Sequence, residues 1–183
     1  MVPAFESLVP AAERVSLVAT ATGETSWCVA YTKSRQEKAL AEDLGILGIR
    51  HYLPVVNSVR YYGRRKIHCS LPLFPGYVFL CGSKADLIAA DRTRRVVRYI
   101  KPPDAAKLRV ELESIRLAIE SGGELIPAPM LLEGVAVEIT SGPFRGVRGV
   151  VASMSDASRV VLNVDLIGRA AALEIERDLL RPI

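Results

Sequence analysis

The sequence is poor in the residue types from which catalytic and metal centres are usually built. It has two histidines, His51 and His68, and three cysteines, Cys28, Cys69 and Cys81, with no CxxC or HxxxH pair among them. A tetrahedral zinc site draws its ligands in closely spaced pairs, so no metal is expected. An odd number of unpatterned thiols excludes a disulfide framework and fits a reducing, cytoplasmic setting. The chain lacks a GxxxxGK or GxGxxG run that could cradle a phosphate, and no nucleophile has a partner base at a recognisable spacing. Glu111 and Glu113 are two apart on a helix, face different sides, and read as solvent charges. The expectation is therefore a binding protein without a cofactor, not an enzyme. A run of about 20 uncharged apolar residues, which a membrane helix needs, is also missing. The Ala- and Val-rich N-terminus carries Glu6, Glu13, Arg14, Pro3 and Pro10 and has no basic start. It reads as a flexible tail over 1–25 rather than a secretion signal.

What the chain does contain is ordinary apolar material and unevenly placed charge. Its 183 residues are 50% hydrophobic and 24% charged, enough for a core in each of two small domains. Residues 1–25 carry a net −2, residues 26–121 a net +8 and residues 122–183 a net −2. A basic middle between acidic flanks predicts that the middle meets a polyanion and the last part something else.

Trp27–Tyr31 reads as a strand, followed by a helix capped at Ser34 and punctuated by Gly45 or Gly48, with Leu40, Leu44 and Leu47 inward. His51–Tyr62 is extended, being rich in Val and Tyr and containing Pro54, and Gly63 turns it into Arg64–Ser70 as a hairpin. Tyr77–Cys81 is a further apolar strand, Lys84–Asp91 a short helix and Val96–Lys101 a strand. Asp104 then caps a helix that sets Leu108, Leu112, Ile115 and Ile119 on one face. This order describes an α+β sandwich over 26–121, with helices on a mostly antiparallel sheet. Gly122 and Gly123 followed by Pro127 and Pro129 mark a linker over 122–130. Beyond it Val135, Val137 and Ile139 alternate, and Val147–Ala152, Val160–Ile167 and Ala171–Ile175 follow as short strands. They predict a small SH3-like β-barrel over 131–183.

Several segments tie this architecture to a known family. Trp27-Cys28-Val29-Ala30-Tyr31 with Arg35–Ala39, and the run Leu73-Phe74-Pro75-Gly76-Tyr77-Val78-Phe79, resemble the N-terminal domain of the NusG family. Gly142-Pro143-Phe144-Arg145-Gly146, with Gly149 and Leu166-Ile167-Gly168-Arg169, is similar to that family's KOW domain. The resemblance covers 26–183 in the family's domain order, and it implies a monomeric transcription elongation or antitermination factor that suppresses pausing or termination. It implies docking on the coiled-coil tip of the RNA polymerase clamp through a patch of Leu53, Pro54, Phe74, Pro75 and Tyr77. Aromatic anchors around a Pro-Gly bend suit such a hot spot. Upstream or non-template DNA would be met by Lys33, Arg35, Arg60, Arg64, Arg65 and Lys66, cations interleaved with Tyr61 and Tyr62 at the hairpin tip. Arg92, Arg94, Arg95 and Arg98 form a second basic cluster.

In the KOW domain the resemblance implies that Phe144, Leu166 and Ile167 contact a recruited partner, the ribosomal protein NusE or the termination factor Rho. Ile167 stands where general NusG proteins usually carry an aromatic residue, which points away from Rho and towards a specialised, RfaH-like paralog. RfaH's KOW domain can refold as a helical hairpin. Here Val135, Val137, Ile139, Val150, Val151, Val160 and Val161 favour strands. The competing reading is a KOW-type RNA-binding protein of the ribosome. It explains the basic charge but not the Trp27 and Phe74–Phe79 segments, and it would place the charge in the last part, which is acidic.

Overall fold

The first sheet grows around Ser26–Thr32, strand β1, in which Trp27 to Ala30 are all buried. An unbroken apolar run suits a strand covered on both faces, and β1 is indeed central. The computed structural model describes residues 25–62, 65–154 and 159–183; the expected tail lies, up to residue 24, outside them. After α1 (Glu37–Ile46) and β2 (Arg50–Tyr52), a hairpin of β3 (Val55–Tyr62) and β4 (Arg65–Pro72) leads to β5 (Tyr77–Gly82). Then come α2 (Lys84–Asp91), β6 (Val96–Ile100) and α3 (Ala105–Glu120). The order in the sheet is β2-β5-β1-β6, while among the described residues β3 and β4 pair only with each other. Alternate residues of β1 and β5 serve opposite faces. Cys28, Ala30, Val78 and Leu80 pack with Leu40 and Leu44 of α1 and Ala90 of α2, while Trp27, Val29 and Phe79 share a cluster with Leu108, Leu112 and Ile115 of α3.

The architecture is the expected α+β, with local departures. The first helix begins at Glu37 rather than after Ser34, because Arg35 takes a left-handed conformation (φ +59°) that no helix continues. Its N-cap is Gln36, without a side-chain cap. Leu40 and Leu44 point inward as expected, but Leu47 is 46% exposed. It follows the last helical turn, where Gly48 (φ +68°) redirects the chain. Pro54 splits His51–Tyr62 into β2 and β3. Asp104 caps α3 as predicted, its Oδ1 accepting from the N–H groups of Ala106 and Lys107, both at 2.9 Å.

A second sheet contains β7 (Ile126–Ala128), β8 (Val135–Ile139), β9 (Arg148–Val151), β10 (Arg159–Val164), β11 (Arg169–Glu174) and β12 (Leu180–Pro182), in the order β12-β8-β9-β10-β11-β7. It fits a KOW or SH3-like unit, and it is made of strands rather than a helical hairpin. It is not a closed barrel, because its edge strands β12 and β7 are not bonded to each other. Each edge strand carries a proline, Pro182 or Pro127, at a place where a missing N–H is tolerated. Within the stretch expected as linker, Ile126–Ala128 is thus part of this sheet.

Helix α3 lies between the two sheets, packing on β1 on one side and on β9 and β10 on the other. One apolar cluster accordingly runs from Trp27, Phe74 and Phe79 through Leu108, Leu112 and Ile115 to Val137, Leu162, Ile167 and Leu173. Gly123, just after α3, is part of this closure. A Cβ there would lie 2.7 Å from the Ala118 carbonyl and 3.0 Å from both Phe144 Cε1 and Leu173 Cδ1.

Candidate functional site

The two segments of the expected apolar patch, 53–54 and 74–77, are distant in sequence but adjacent in space. The Leu73 N–H donates to the Pro54 carbonyl at 2.8 Å, and Val55 pairs with Pro72. The Phe74–Tyr77 segment is a tight turn, with Gly76 at φ +88° and the Tyr77 N–H donating to the Phe74 carbonyl at 3.2 Å. A positive φ at the residue after proline is what a Pro-Gly bend demands. Two further bonds fix it: the Gly76 N–H donates to Glu37 Oε1 at 2.6 Å, and the Thr32 N–H donates to the Gly76 carbonyl at 2.8 Å.

The rings at this bend divide. Phe74 is 2% exposed and meets Phe79 edge to face at 6.4 Å, so it belongs to the shared core. Tyr77 and Leu53 stay partly exposed, Tyr77 packing on the cluster of Phe74 and Phe79 and Leu53 on that of Leu40 and Leu44; Pro54 is buried and Pro75 exposed. Tyr77 sits 5.4 Å from the Tyr31 ring, and the Arg98 guanidinium lies 5.5 Å over Tyr31. Tyr31 is a member of this surface that the sequence did not single out. Its signal is the β1–β5 register, which sets Tyr31 opposite Tyr77 and emerges only once the strands are paired.

Of the basic residues expected to meet DNA, Lys33 and Arg35 are exposed in the turn between β1 and α1, and Lys66 is exposed on β4. Arg64 lies outside the described residues, as do the side chains of Arg60 and Arg65. The second cluster divides as well. Arg95 Nε donates to Asp43 Oδ2 at 2.6 Å and its Nη1 to Gln36, so this arginine ties the turn before β6 to α1. Arg92, Arg94 and Arg98 remain exposed. The turns holding Arg35 and Arg94 are joined by the Lys33 N–H donating to the Arg95 carbonyl at 2.9 Å. Both Arg35 (φ +59°) and Arg94 (φ +58°) sit in the left-handed region, a strain that persists only where the surroundings enforce it.

The residues expected to serve a KOW partner face the junction with α3. Phe144 lies in the turn between β8 and β9, its ring against Gly123, while Ile167 is 9% exposed and Leu166 packs on the same cluster. Glu111 and Glu113 are not the free solvent charges expected. Both are partly buried: Glu113 accepts from Arg116 Nε at 3.0 Å, and burial, with the charge of Asp165 after it, pushes the Glu111 carboxyl up to about 7. That burial has no signal in sequence because Asp165 arrives from the second sheet.

Among the described residues no group of three His, Cys, Asp or Glu is placed to hold a metal, and no helix is long and apolar enough to cross a membrane. The three cysteines are free, and burial pushes the Cys28 thiol up to about 11, keeping it protonated at neutral pH.

Residues 25–116 match the family model for NusG, described as transcription termination factor nusG. Solved structures similar to the chain include Thermotoga maritima NusG, described for its domain interaction, at 24% identity and a TM-score of 0.43, covering 87% of this chain and 97% of that one. Another is an MjSpt4:Spt5 complex, at 20% identity and a TM-score of 0.27, covering 86% of this chain and 97% of that one. No protein with a curated description matches significantly.

Proposed function

The chain belongs to the NusG family of transcription factors, and from that premise we propose that it is an elongation factor that docks on RNA polymerase through the turn at Phe74–Tyr77. The observation that carries this reading is the fixed bend at Phe74–Tyr77, which sets Tyr77 against Tyr31 and is tied to the Pro54 segment through the bond from Leu73. Aromatic and aliphatic side chains on a backbone fixed by Glu37 and Thr32 lose little freedom on binding, which is what makes a hot spot effective. Lys33, Arg35, Arg94 and Arg98 lie on or near the same end of β1 and supply positive charge for upstream or non-template DNA. Holding clamp and DNA together suppresses pausing, or termination, only if the grip is tighter on the closed, elongating polymerase.

The second sheet is the recruiting part. Phe144, Leu166 and Ile167 reach a partner such as NusE only after the sheet leaves α3. Once released it is a tethered ligand with a raised effective concentration near the polymerase. Ile167, aliphatic in place of an aromatic, fits a specialised antitermination paralog better than a Rho-recruiting factor.

The test is binding of the full chain to purified bacterial RNA polymerase, wild type beside Tyr77→Ala and Tyr31→Ala. Truncating a hot-spot aromatic costs about 2 kcal/mol or more, so each variant is expected to bind roughly 30-fold more weakly or worse while remaining folded. Unchanged affinity in both variants removes the docking edge from the proposal. No binding by the folded wild type removes the elongation-factor reading and makes structured RNA the next partner to assay.

A further inference from the structure

Of the four arginines between residues 92 and 98, Arg92, Arg94 and Arg98 are exposed and Arg95 is not. Its side chain is 33% exposed, and its guanidinium spans two acceptors at the start and middle of the first helix. Nε donates to Asp43 Oδ2 at 2.6 Å, and Nη1 donates to the side-chain oxygen of Gln36. The backbone of the same residue is held as well. Its N–H donates to Thr93 Oγ1 at 3.3 Å, and its carbonyl accepts from the Lys33 N–H at 2.9 Å. One residue thereby joins the turn at 33–36, helix α1 and the turn at 92–95. Those two turns carry Lys33, Arg35, Arg92 and Arg94, all exposed. In each turn one arginine takes a left-handed backbone, Arg35 at φ +59° and Arg94 at φ +58°. Such a residue stays there only where its surroundings over-determine it, and the constraints on both turns meet at Arg95.

Resting on the reading that this face meets DNA, we propose that Arg95 is a positioning residue for the nucleic acid. It does not touch the strand; its fork on Asp43 and Gln36 holds Lys33, Arg35, Arg92 and Arg94 as one preformed basic face. Arginine suits the role because a planar fork spans two acceptors at fixed angles, whereas a lysine is a single point charge. Asp43 belongs to the same device. By charge alone a carboxylate within a basic face weakens the attraction for phosphate, yet this one anchors Arg95. Ordering a freed long side chain on binding costs a factor of about 2 to 10 in affinity. With two left-handed arginines to order, loss of the fork is expected to weaken binding about tenfold or more.

Fluorescence anisotropy of the full chain with a labelled oligothymidylate, repeated at several salt concentrations, tests this. Arg94→Ala removes a phosphate contact, so it is expected to weaken binding and shrink the slope of log affinity against log salt by about 0.7. Arg95→Lys keeps the charge and is expected to bind about tenfold more weakly with the wild-type slope. Asp43→Ala takes a negative charge off the face and is nonetheless expected to bind more weakly, the opposite of what charge alone gives. In both of these variants the Lys33 amide is expected to lose protection from hydrogen exchange while Leu80 in β5 keeps it, the mark of loosened turns in a folded chain. Wild-type affinity in Arg95→Lys, tighter binding by Asp43→Ala, or a matching loss of protection at Leu80 would each overturn the positioning role. The DNA reading survives those outcomes if Arg94→Ala still loses slope. No salt-dependent binding by the wild type would remove the DNA reading and the role of Arg95 with it.

Discussion

At Gly76 a backbone N–H points into a buried carboxylate instead of water. Glu37 is 6% exposed, and its Oε1 is the acceptor for that N–H at 2.6 Å. Deleting an acceptor from a buried donor costs the donor's desolvation, so Glu37→Ala is expected to lower stability by about 1–3 kcal/mol. Urea denaturation followed by fluorescence reads the change, and Glu37→Gln, which keeps an oxygen in place, is expected to lose less. Phe74, Gly76 and Tyr77 were legible as a bend because Pro-Gly has its own local chemistry. Glu37 was not, because its partner lies 39 residues on. The same holds for Glu111, whose surroundings come from a segment that no helical periodicity can see.

Among the elements, those that carry their own punctuation were the legible ones. The bounds of α2 came out as predicted, and a capping box explains why. Ser83 Oγ accepts from the Asp86 N–H, and Asp86 Oδ2 accepts from the Ser83 N–H at 2.7 Å. Ser83→Ala is expected to cost about 1 kcal/mol, read as a lower thermal midpoint with the fold unchanged by far-UV circular dichroism. Where punctuation is weak, tertiary pairing decides. Strands β7 and β12 have three residues each and contain a proline, so nothing local marks them; they exist because β11 and β8 offer an edge. The shortened start of α1 has the same origin, since the turn at Arg35 is held by the bond from Lys33 to Arg95 in another element.

Across the whole molecule the α+β order was readable from the sequence, but the placement of one sheet on the other was not. The face of α3 that covers the first sheet is plainly apolar, whereas the face receiving the second sheet presents Lys107, Glu111, Ser114 and Ala118, a mixture that suits solvent equally well. Because one cluster joins both sheets, the described residues should unfold together. Trp27 is the only tryptophan and is buried in that cluster. Its fluorescence and the far-UV circular dichroism signal are expected to give coincident thermal transitions. Separate transitions would show the two sheets melting independently.

Among the described residues the hairpin of β3 and β4 has no third strand beside it, and its eight paired positions run in unbroken register from Val55 opposite Pro72 to Tyr62 opposite Arg65. At about 3.4 Å per residue, its eight-residue arms span about 27 Å. The hairpin is thus a two-stranded arm whose root, at Val55 and Pro72, adjoins the Phe74–Tyr77 turn. In the docking proposed for the turn at its root, such an arm sets a distance as well as a chemistry: a second contact made along it lies up to one arm's length from the first.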